Sequence, residues 1–541
     1  MKAPAGQAVT GHLDERLAEI ASRHPAVGLA VGVVRDGHLS SFHGHGLADI
    51  ASRTPVTEDT VFRIGSITKT FTALAVLQLC EQGLVDLDAP AGSYLRAYAL
   101  VPVKPGHRPA TVRQLLTHTA GLPQLVYPAR AFQPVLGETV AYGQRVPALE
   151  EFYRGRLHLI AEPGTRHTYS NHGFATLGQI VEDVTGRPLA RVFRDQIFGP
   201  LGMTSTDLAR TDRIRARLAT GYALRSGGPR PVRDRDLVTA GAGGIYSTTA
   251  DMARYVAALL AGGSGEYGQI LRPGTLTSMF APHYQPDPRL PGVGLAFFRH
   301  NLGGHLVAGH DGLVPGFTSH MSLAPCDGTG VVAFTNGARS AMTWLGPEVT
   351  VILGHILGAC EPVIRADVPH HPEIWPDICG WYSFRGSLRD AQKWFVAGAE
   401  VFVRRGQLAL RPATPLPALA RGLPLHPDDP ADPYVFRIDL SSLGIGTSRV
   451  VFSRSPHAAA NAFHLDLGFA PLSFDKRPAI TNPRYWASSA LGAVAAASAA
   501  NAVRRHRQYA PLRARGRALA AAAAPAPARR RHDMSHHKAQ A

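Results

Sequence analysis

Ser66 and Lys69 are the residues whose types and spacing most directly suggest covalent chemistry in this sequence. They begin and end the segment Ser66-Ile67-Thr68-Lys69, an S-x-x-K pattern. A serine hydroxyl is a weak nucleophile until a neighbouring base removes its proton, and a desolvated lysine can be that base. Residues three apart on a helix share one face, so the two side chains can meet. The pattern therefore suggests acyl transfer through a serine ester.

The S-x-x-K pattern also occurs at 473–476 and 535–538, so the surrounding sequence must indicate which of the three serines is the candidate nucleophile. The first of these copies lies between two prolines, where a helix does not start well, and the second lies in a basic tail. Only Ser66 follows a strand-like segment and opens a long apolar helix, whose free N–H groups suit a developing oxyanion. In isolation, however, the pattern is more typical of a serine cap followed by a surface lysine.

Two further short patterns add groups that such a reaction needs. Tyr169-Ser170-Asn171 precedes a predicted helix; the tyrosine can transfer protons, and Asn171 can hydrogen-bond Lys69 and a substrate amide. The alternative is a turn tyrosine with a capping asparagine. His310-Asp311-Gly312 ends a predicted strand, where Gly312 would let a substrate backbone lie against the strand. The alternative for this lone histidine is a purely structural residue.

The backbone N–H of Leu313 follows this last pattern and is a candidate second oxyanion donor beside the N–H of Ser66. Each such donor typically contributes about 3 kcal/mol to lowering the barrier. Together the candidates supply a nucleophile, a base, a proton carrier and an oxyanion site.

The elements that must position these residues are helices between two groups of strands. Apolar spacing predicts helices at 66–82, 111–118, 172–185, 248–261 and 349–357. A capping box at Thr111 and Gln114 and glycines at 83, 186 and 262 mark helix ends. Strands are predicted at 27–34, 39–47, 305–309, 316–324 and 330–336. Strands at both ends indicate an α+β fold, one antiparallel sheet with an inserted helical part.

The organisation predicted for the chain is a first domain at 1–362, a proline-marked linker at 363–374 and a small β domain at 375–480. Residues 481–541 hold an Ala/Ser-rich helix candidate at 486–503 and a basic tail. After position 500 there are ten basic residues and one acidic residue, so this tail carries +9 of the net charge of +16. Such a tail favours a solvated segment; contact with nucleic acid or anionic lipid is the less favoured alternative.

Composition narrows the class of protein. The hydrophobic fraction of 45% and the mean hydropathy of -0.04 are those of an ordinary globular chain. No secretory leader or convincing membrane span is evident, so we expect a cytoplasmic location. The four cysteines, at 80, 326, 360 and 379, are far apart and are expected to be buried thiols rather than a disulfide framework or a zinc site.

Read together and in this order, the three patterns resemble those of the class C β-lactamase and D-Ala-D-Ala-peptidase-like serine hydrolases. This family includes penicillin-binding-protein-like enzymes, esterases and D-aminopeptidases. The segments 62–66, 115–123, 200–203 and 243–247 resemble the family as well, and the resemblance covers roughly residues 10–360. It implies an antiparallel sheet flanked by helices with an inserted helical subdomain.

The same resemblance implies roles for individual residues. Ser66 would be acylated, Lys69 and Tyr169 would move protons, and Asn171 would orient the substrate. His118 and Thr119 would support the fold. A small-molecule or peptide-like substrate is expected, with no metal and no cofactor.

One departure from the family pattern bears on the substrate. His310 stands where β-lactamases keep a lysine, and imidazole titrates near pH ~6.5, so its grip on a substrate carboxylate would be weaker. This favours esterase or peptidase chemistry, with activity that depends on pH between about 5.5 and 7.5. The alternative is a catalytically weak, penicillin-binding-like protein that only binds its ligand.

Overall fold

The computed structural model describes residues 15–359, 363–390, 393, 396–414, 419, 421–443, 445–454, 460–468 and 471–484. The chain divides into two compact units, residues 1–477 and 478–541. The sheet, the helices and the barrel below all belong to the first unit. The helix candidate at 486–503 and the basic tail lie outside the described residues, and both remain predictions.

A seven-stranded antiparallel sheet is built from two distant parts of the chain. The strand Gly28–Arg35 is an interior strand of this sheet, between Thr329–Thr335 and His38–Asp49, with Val31 opposite Ala333. In spatial order the strands are Phe298–Leu302, His305–Val314, Phe317–Ala324, Thr329–Thr335, Gly28–Arg35, His38–Asp49 and Thr54–Pro55. The predicted α+β architecture, with its sheet assembled from both ends, is confirmed.

The two faces of this sheet belong to different hydrophobic cores, because successive strand residues point to opposite sides. Ala30 and Val34 pack into the larger core, which also contains Met252 of the helix Thr249–Leu260. Leu29, Val31 and Val33 pack instead with Trp344 and Ile352 of the helix Ala341–Leu357. Burial on both faces explains why the strand Gly28–Arg35 is apolar almost throughout.

The helices follow the predicted pattern, except that the helix predicted at 349–357 begins at Ala341 and contains Pro347. The capping box at Thr111 is formed, and Gly83, Gly186 and Gly262 follow their helices with φ values of +73°, +67° and +69°. Among the helices are Thr68–Glu81, Val112–Leu116, Leu149–Tyr153, Asn171–Thr185, Leu189–Phe193, Asp212–Arg217, Ala240–Gly243, Thr249–Leu260, Pro273–Phe280, Ala341–Leu357 and Trp375–Ile378. Short strands between them are Phe62–Arg63, Ala99–Val101, Thr139–Ala141, Arg156–His158, Tyr222–Arg225, Gly228–Pro231, Arg235–Leu237, Tyr246–Ser247, Ser264–Gly265 and Gly268–Gln269.

A closed eight-stranded barrel forms the small β domain. Its strands are Gly380–Phe384, Gly398–Arg404, Gln407–Pro412, Leu423–Pro427, Val435–Asp439, Thr447–Arg454, Ala460–Asp466 and Pro471–Arg477. Aromatic side chains such as Tyr382, Phe452 and Phe463 fill its interior. The sequence predicted a small β domain here but not the closure of its strands into a barrel.

Arg289 connects the barrel to the first part of the chain. Its guanidinium donates to Asp432 at 2.8 Å and to the carbonyl oxygen of Phe452 at 2.9 Å, both in the barrel. The same side chain is held by Asp287 at 2.8 Å. The barrel also accepts a hydrogen bond from the N–H of Leu125 through the Arg389 carbonyl, at 3.0 Å. It is therefore docked beside the loop that follows the helix Val112–Leu116.

The cysteine prediction is wrong for Cys326, which is exposed, whereas Cys80 and Cys379 are partly buried. Cys326 is exposed because it lies in the turn Pro325–Asp327 at a hairpin tip. Cys360 lies outside the described residues. Within the described part of the chain, no helix has the length and apolar character needed to cross a lipid bilayer.

Candidate active site

Ser66 and Lys69 meet at the start of the helix Thr68–Glu81, which we call the nucleophile helix. Ser66 lies in the 3₁₀ turn Gly65–Ile67 immediately before that helix, so the helix begins two residues later than predicted. The Nζ atom of Lys69 is 2.9 Å from Ser66 Oγ. Lys69 is fully buried, while Ser66 is partly exposed, as a nucleophile that must reach a substrate needs to be.

Lys69 has three hydrogen-bond partners. Besides Ser66 Oγ, Nζ donates to Asn171 Oδ1 at 2.8 Å and to the carbonyl oxygen of Ala242 at 2.8 Å. An ammonium group has three donors, and all three are used here. A neutral amine has two N–H groups and one lone pair. Because carbonyl oxygens only accept, a neutral Lys69 directs its lone pair at Ser66.

Burial lowers the pKa of Lys69 to about 7, although the negative charge of Glu138 opposes the shift. A substantial fraction of the amine is therefore unprotonated at neutral pH. Burial acts in the opposite direction on Tyr169 and raises its pKa well above the usual value, while hydrogen bonding with Ser66 lowers it. The Lys69 Nζ atom is 4.9 Å from the Tyr169 ring centroid. At neutral pH the site thus contains a basic amine and a protonated phenol.

Tyr169 and Asn171 are held by the segment containing His118. The Ser170 N–H donates to His118 Nδ1 at 3.1 Å, and the Thr168 N–H donates to the His118 carbonyl at 2.8 Å. The rings of His118 and Tyr169 are 4.3 Å apart. Thr119 accepts a further backbone hydrogen bond from Gly164 at 2.7 Å. These contacts give His118 and Thr119 the supporting role that the sequence suggested.

Gly312 lies in the strand His305–Val314, which we call the His310 strand, and packs against Ile64, the residue before the turn Gly65–Ile67. A β-carbon at Gly312 would be 2.0 Å from the Ile64 carbonyl oxygen and 2.1 Å from Ser319 Oγ. No side chain fits there. The two-residue turn after Val314 pairs Val314 with Phe317, so Leu313 and Thr318 form a non-hydrogen-bonded pair. The Leu313 N–H therefore points away from that neighbouring strand.

His310 is buried on the same strand, and its Nδ1 donates to the Asp311 carbonyl at 2.6 Å. Its ring is 6.4 Å from that of Tyr169 and 5.3 Å from that of Phe298. Burial, and to a lesser degree Lys69, lowers the pKa of His310 to about 4. His310 is thus neutral between pH 5.5 and 7.5, and the pH dependence expected there must come from another group.

Glu138 is a site residue that the sequence did not reveal. It is buried, and its Oε2 accepts from Asn171 Nδ2 at 3.1 Å and from Thr239 Oγ1 at 2.9 Å. No motif surrounds it, since it follows an irregular loop whose shape cannot be derived from spacing. Its proximity to Asn171 depends on pairing of Thr139–Ala141 with Arg235–Leu237, which are far apart in sequence.

Among the described residues, no cluster of three or more His, Cys, Asp or Glu side chains is arranged to hold a metal ion. The groups gathered around Ser66 are instead those of acyl transfer: a hydroxyl, a buried amine, a phenol, an amide and two backbone N–H groups.

Comparison with known proteins identifies relatives of this chain. Penicillin-binding protein 4 from Amycolatopsis lactamdurans is 29% identical over 69% of this chain and 98% of its own length. Unguisins hydrolase ungD' from Aspergillus campestris is 30% identical over 61% of this chain. The D-alanyl-D-alanine-carboxypeptidase/endopeptidase AmpH from Escherichia coli is 32% identical over 43% of this chain. The alignments cover only 62% of ungD' and 57% of AmpH.

Solved structures share the fold. The octameric penicillin-binding protein homologue from Pyrococcus abyssi matches with a TM-score of 0.54 and 24% identity, over 87% of this chain and 100% of that one. The D-amino acid amidase from Ochrobactrum anthropi matches with a TM-score of 0.53 and 26% identity, over 65% of this chain and 99% of that one. The Beta-lactamase family model matches residues 13–346. The chain belongs to the beta-lactamase family of serine hydrolases.

Proposed function

We propose that this enzyme hydrolyses an ester or amide bond of a small-molecule or peptide-like substrate through an acyl-enzyme on Ser66. The observation that carries the proposal is the 2.9 Å hydrogen bond between Lys69 Nζ and Ser66 Oγ, made by a fully buried amine. A desolvated lysine with a pKa of about 7 can accept the proton of a serine hydroxyl near neutral pH.

In the proposed acylation, Lys69 takes the Ser66 proton as Oγ bonds to the substrate carbonyl carbon. The resulting oxyanion accepts hydrogen bonds from the backbone N–H groups of Ser66 and Leu313. Tyr169 then donates its phenolic proton to the leaving oxygen or nitrogen as that bond breaks, and the proton on Lys69 replaces it. Through its hydrogen bond with Lys69, Asn171 keeps the amine oriented toward Ser66 during these steps.

In the proposed deacylation, a water molecule takes the place of the leaving group. Lys69 accepts a proton from this water as its oxygen attacks the ester carbon, and the same oxyanion donors act again. Ser66 leaves with a proton supplied through Lys69 or Tyr169. The acid product is released and the free hydroxyl is restored.

The neutral state of His310 supports an ester or amide substrate that does not depend on a fixed cation at this position. Because burial lowers its pKa to about 4, His310 supplies no positive charge for a substrate carboxylate at neutral pH. The relatives named as a carboxypeptidase/endopeptidase and as a D-amino acid amidase are consistent with peptide-like substrates. We therefore infer esterase, amidase or peptidase chemistry rather than efficient β-lactam hydrolysis.

The test is acylation and turnover of Ser66 in the full chain. A fluorophosphonate should add to the wild-type protein and not to Ser66→Ala, and p-nitrophenyl acetate should give a burst that Lys69→Ala lacks. Ser535→Ala, at another S-x-x-K pattern, is the matched control and should behave as wild type. Equal turnover by the wild type, Ser66→Ala and Lys69→Ala would overturn the proposal. A stable adduct on Ser66 without turnover of any tested ester, D-amino-acid amide or cephalosporin would overturn hydrolysis and favour the ligand-binding alternative.

A further inference from the structure

Glu138 is a buried acidic residue behind the proposed catalytic groups, reaching Lys69 through a single intervening amide. We propose that Glu138 is a positioning residue for acyl transfer: it fixes the orientation of the Asn171 amide and thereby directs the lone pair of Lys69 at Ser66. This inference rests on the function proposed above. It assigns a role in that function to a residue that lies outside the three sequence patterns.

The polarity of the hydrogen bonds carries the argument. A carboxylate can only accept, so the Asn171 atom 3.1 Å from Glu138 Oε2 must be the donor Nδ2. The other end of the amide is then Oδ1, which accepts from Lys69 Nζ at 2.8 Å. If the amide turned over, its N–H₂ group would face the amine and the Lys69 lone pair would no longer be confined to Ser66. Glu138 therefore excludes the unproductive orientation.

The strand pair that positions Glu138 also positions the Ala242 carbonyl, the third hydrogen-bond partner of Lys69. The strand Thr139–Ala141 pairs with Arg235–Leu237, and the Val238 N–H donates to the Glu138 carbonyl at 2.8 Å. The helix Ala240–Gly243 follows directly, and its Ala242 carbonyl accepts from Lys69. The paired segments around Glu138 and Val238 thus position both oxygen atoms that accept from Lys69, the Asn171 Oδ1 and the Ala242 carbonyl.

The turn before Glu138 adopts a costly conformation. Val135 has φ and ψ of 49° and 47°, and Leu136 has 53° and 27°. Left-handed backbone is unusual for non-glycine residues and most unusual for a β-branched one such as valine. Strain of this kind persists where surrounding structure fixes it, and it is concentrated at functional sites. Here it brings the carboxyl group of Glu138 into the protein interior.

The groups that face Glu138 leave Lys69 as its principal source of compensating charge. His172 Nε2 is 3.4 Å from Glu138 Oε1, but burial lowers the pKa of His172, so it is mainly neutral. The Tyr153 hydroxyl and His172 Nδ1 are hydrogen-bonded to each other at 2.9 Å. Asn171 and Thr239 contribute only dipoles. The charge of Glu138 in turn raises the pKa of Lys69.

Other titratable groups surround Lys69 from the remaining elements. Tyr169, His118 and His310 face it from the loop before the helix Asn171–Thr185, from the segment after Val112–Leu116 and from the His310 strand. Burial lowers the pKa of both histidines and raises that of the tyrosine, so all three are neutral at neutral pH. Glu138 is therefore the charged group whose removal should move the titration of Lys69.

The experiment measures the rate of Ser66 labelling by a fluorophosphonate between pH 5 and 9, by intact mass, in the full chain. The wild-type rate should rise with pH and reach half of its plateau near pH 7, where Lys69 loses its proton. In Glu138→Gln the midpoint should fall by about one pH unit, because a neutral amine is favoured once the negative charge is gone. The plateau should fall about 10- to 100-fold, because the amide is no longer fixed.

Two further variants separate charge from position. Glu138→Asp keeps the charge but shortens the reach to Asn171, so its midpoint should stay near pH 7 while its plateau falls about tenfold. Glu348→Gln is the matched control, because Glu348 is also buried and bonded to charged side chains, those of Arg16 and Arg23. Its labelling profile should match the wild type.

The possible failures are distinguishable. A wild-type protein that is not labelled at any pH overturns the proposed function itself. A labelled wild type together with an unchanged midpoint and plateau in a folded Glu138→Gln variant overturns the role of Glu138 alone. If thermal melting shows that Glu138→Gln does not fold, Glu138→Asp decides, and a wild-type plateau in that variant overturns the inference.

Discussion

Gly65 and Leu313 lie so close that a β-carbon on Gly65 would stand 2.7 Å from the backbone nitrogen of Leu313. Gly65 itself has a φ of +52°, which glycine adopts without penalty. The contact brings the turn that carries Ser66 directly against the edge of the His310 strand. The two backbone N–H groups proposed as oxyanion donors are thus held together by main-chain packing, independently of any side chain.

A methyl group added at Gly312, on the strand side of this contact, should separate the His310 strand from the turn that carries Ser66. Gly312→Ala would place a carbon 2.0 Å from the Ile64 carbonyl oxygen, so strand and turn must separate. We expect a loss of about 1–3 kcal/mol in the free energy of unfolding. We also expect Ser66 labelling to slow by about 100-fold, because displacement of this size spoils donor geometry. Urea unfolding and the labelling rate measure the two effects.

The matched control is Gly274→Ala in the helix Pro273–Phe280, where an added β-carbon would meet no atom within 4 Å. Because alanine favours a helix more than glycine does, this variant should be as stable as the wild type or slightly more so. Equal unfolding free energies for the two variants would contradict the packing that we describe around Gly312.

Removal of the buried amine should slow turnover and lower stability. Lys69→Met keeps the length of the side chain, but it removes the base, and general base catalysis typically contributes 10²–10⁴-fold. We expect kcat/KM for p-nitrophenyl acetate to fall by about that factor. The variant also leaves the buried Glu138 without its principal compensating charge and two acceptor oxygens without their donor, so we expect it to be about 3 kcal/mol less stable than wild type.

The stability difference should depend on pH in a defined direction. The pKa of Lys69 is about 7 in the folded protein, below its value of 10.5 in the unfolded chain. The unfolded state therefore binds more protons between these values, and the wild type gains stability from Lys69 as the pH rises through this window. The stability deficit of Lys69→Met should therefore widen from pH 7 to pH 9. A difference that does not change between pH 7 and pH 9 would show that Lys69 stays charged in the native state.

The pH profile should distinguish Lys69 from His310. Since burial lowers the pKa of His310 to about 4, this residue does not titrate near neutrality, whereas Lys69 does. We expect His310→Ala to reduce ester hydrolysis about tenfold through lost packing, with the midpoint of the acid limb still near pH 7. A wild-type midpoint near pH 6.5 that disappears in His310→Ala would assign the titration to the imidazole.

Arg289 should contribute measurably to docking of the barrel. Its alanine variant leaves Asp287 and Asp432 without their shared cation and removes a donor to the Phe452 carbonyl. We expect the free energy of unfolding to fall by about 1–3 kcal/mol and limited proteolysis to cut sooner between the sheet and the barrel. Arg225→Ala, at an exposed position, is the control and should change neither. Identical proteolysis of both variants would contradict this role.

The features that local sequence could predict are those fixed by nearby residues. The S-x-x-K pattern, the capping box at Thr111 and the glycine after each long helix act over a few positions, so their outcomes follow from spacing. The arrangement of the central strands could also be predicted, because Gly28–Arg35 is an uninterrupted apolar run.

The features that sequence missed depend on contacts between distant segments. Glu138 reaches Asn171 only because its strand pairs with Arg235–Leu237, and nothing in its own neighbourhood indicates this. The closure of the barrel was missed for a similar reason, since strands such as Leu423–Pro427 are short and contain prolines. The neutral state of His310 follows from burial, which a lone histidine in a sequence does not reveal. The cytoplasmic location remains a prediction.

The pairing of Gly28–Arg35 with Thr329–Thr335 also has a consequence for biosynthesis. Ribosomes add roughly 5–20 residues per second, so the first strand emerges on the order of 15–60 seconds before its partner has been translated. During this interval an apolar strand has one edge without its native neighbour, which is a state that promotes aggregation. Nascent chains of this protein should therefore depend on chaperones until residue 335 has left the exit tunnel.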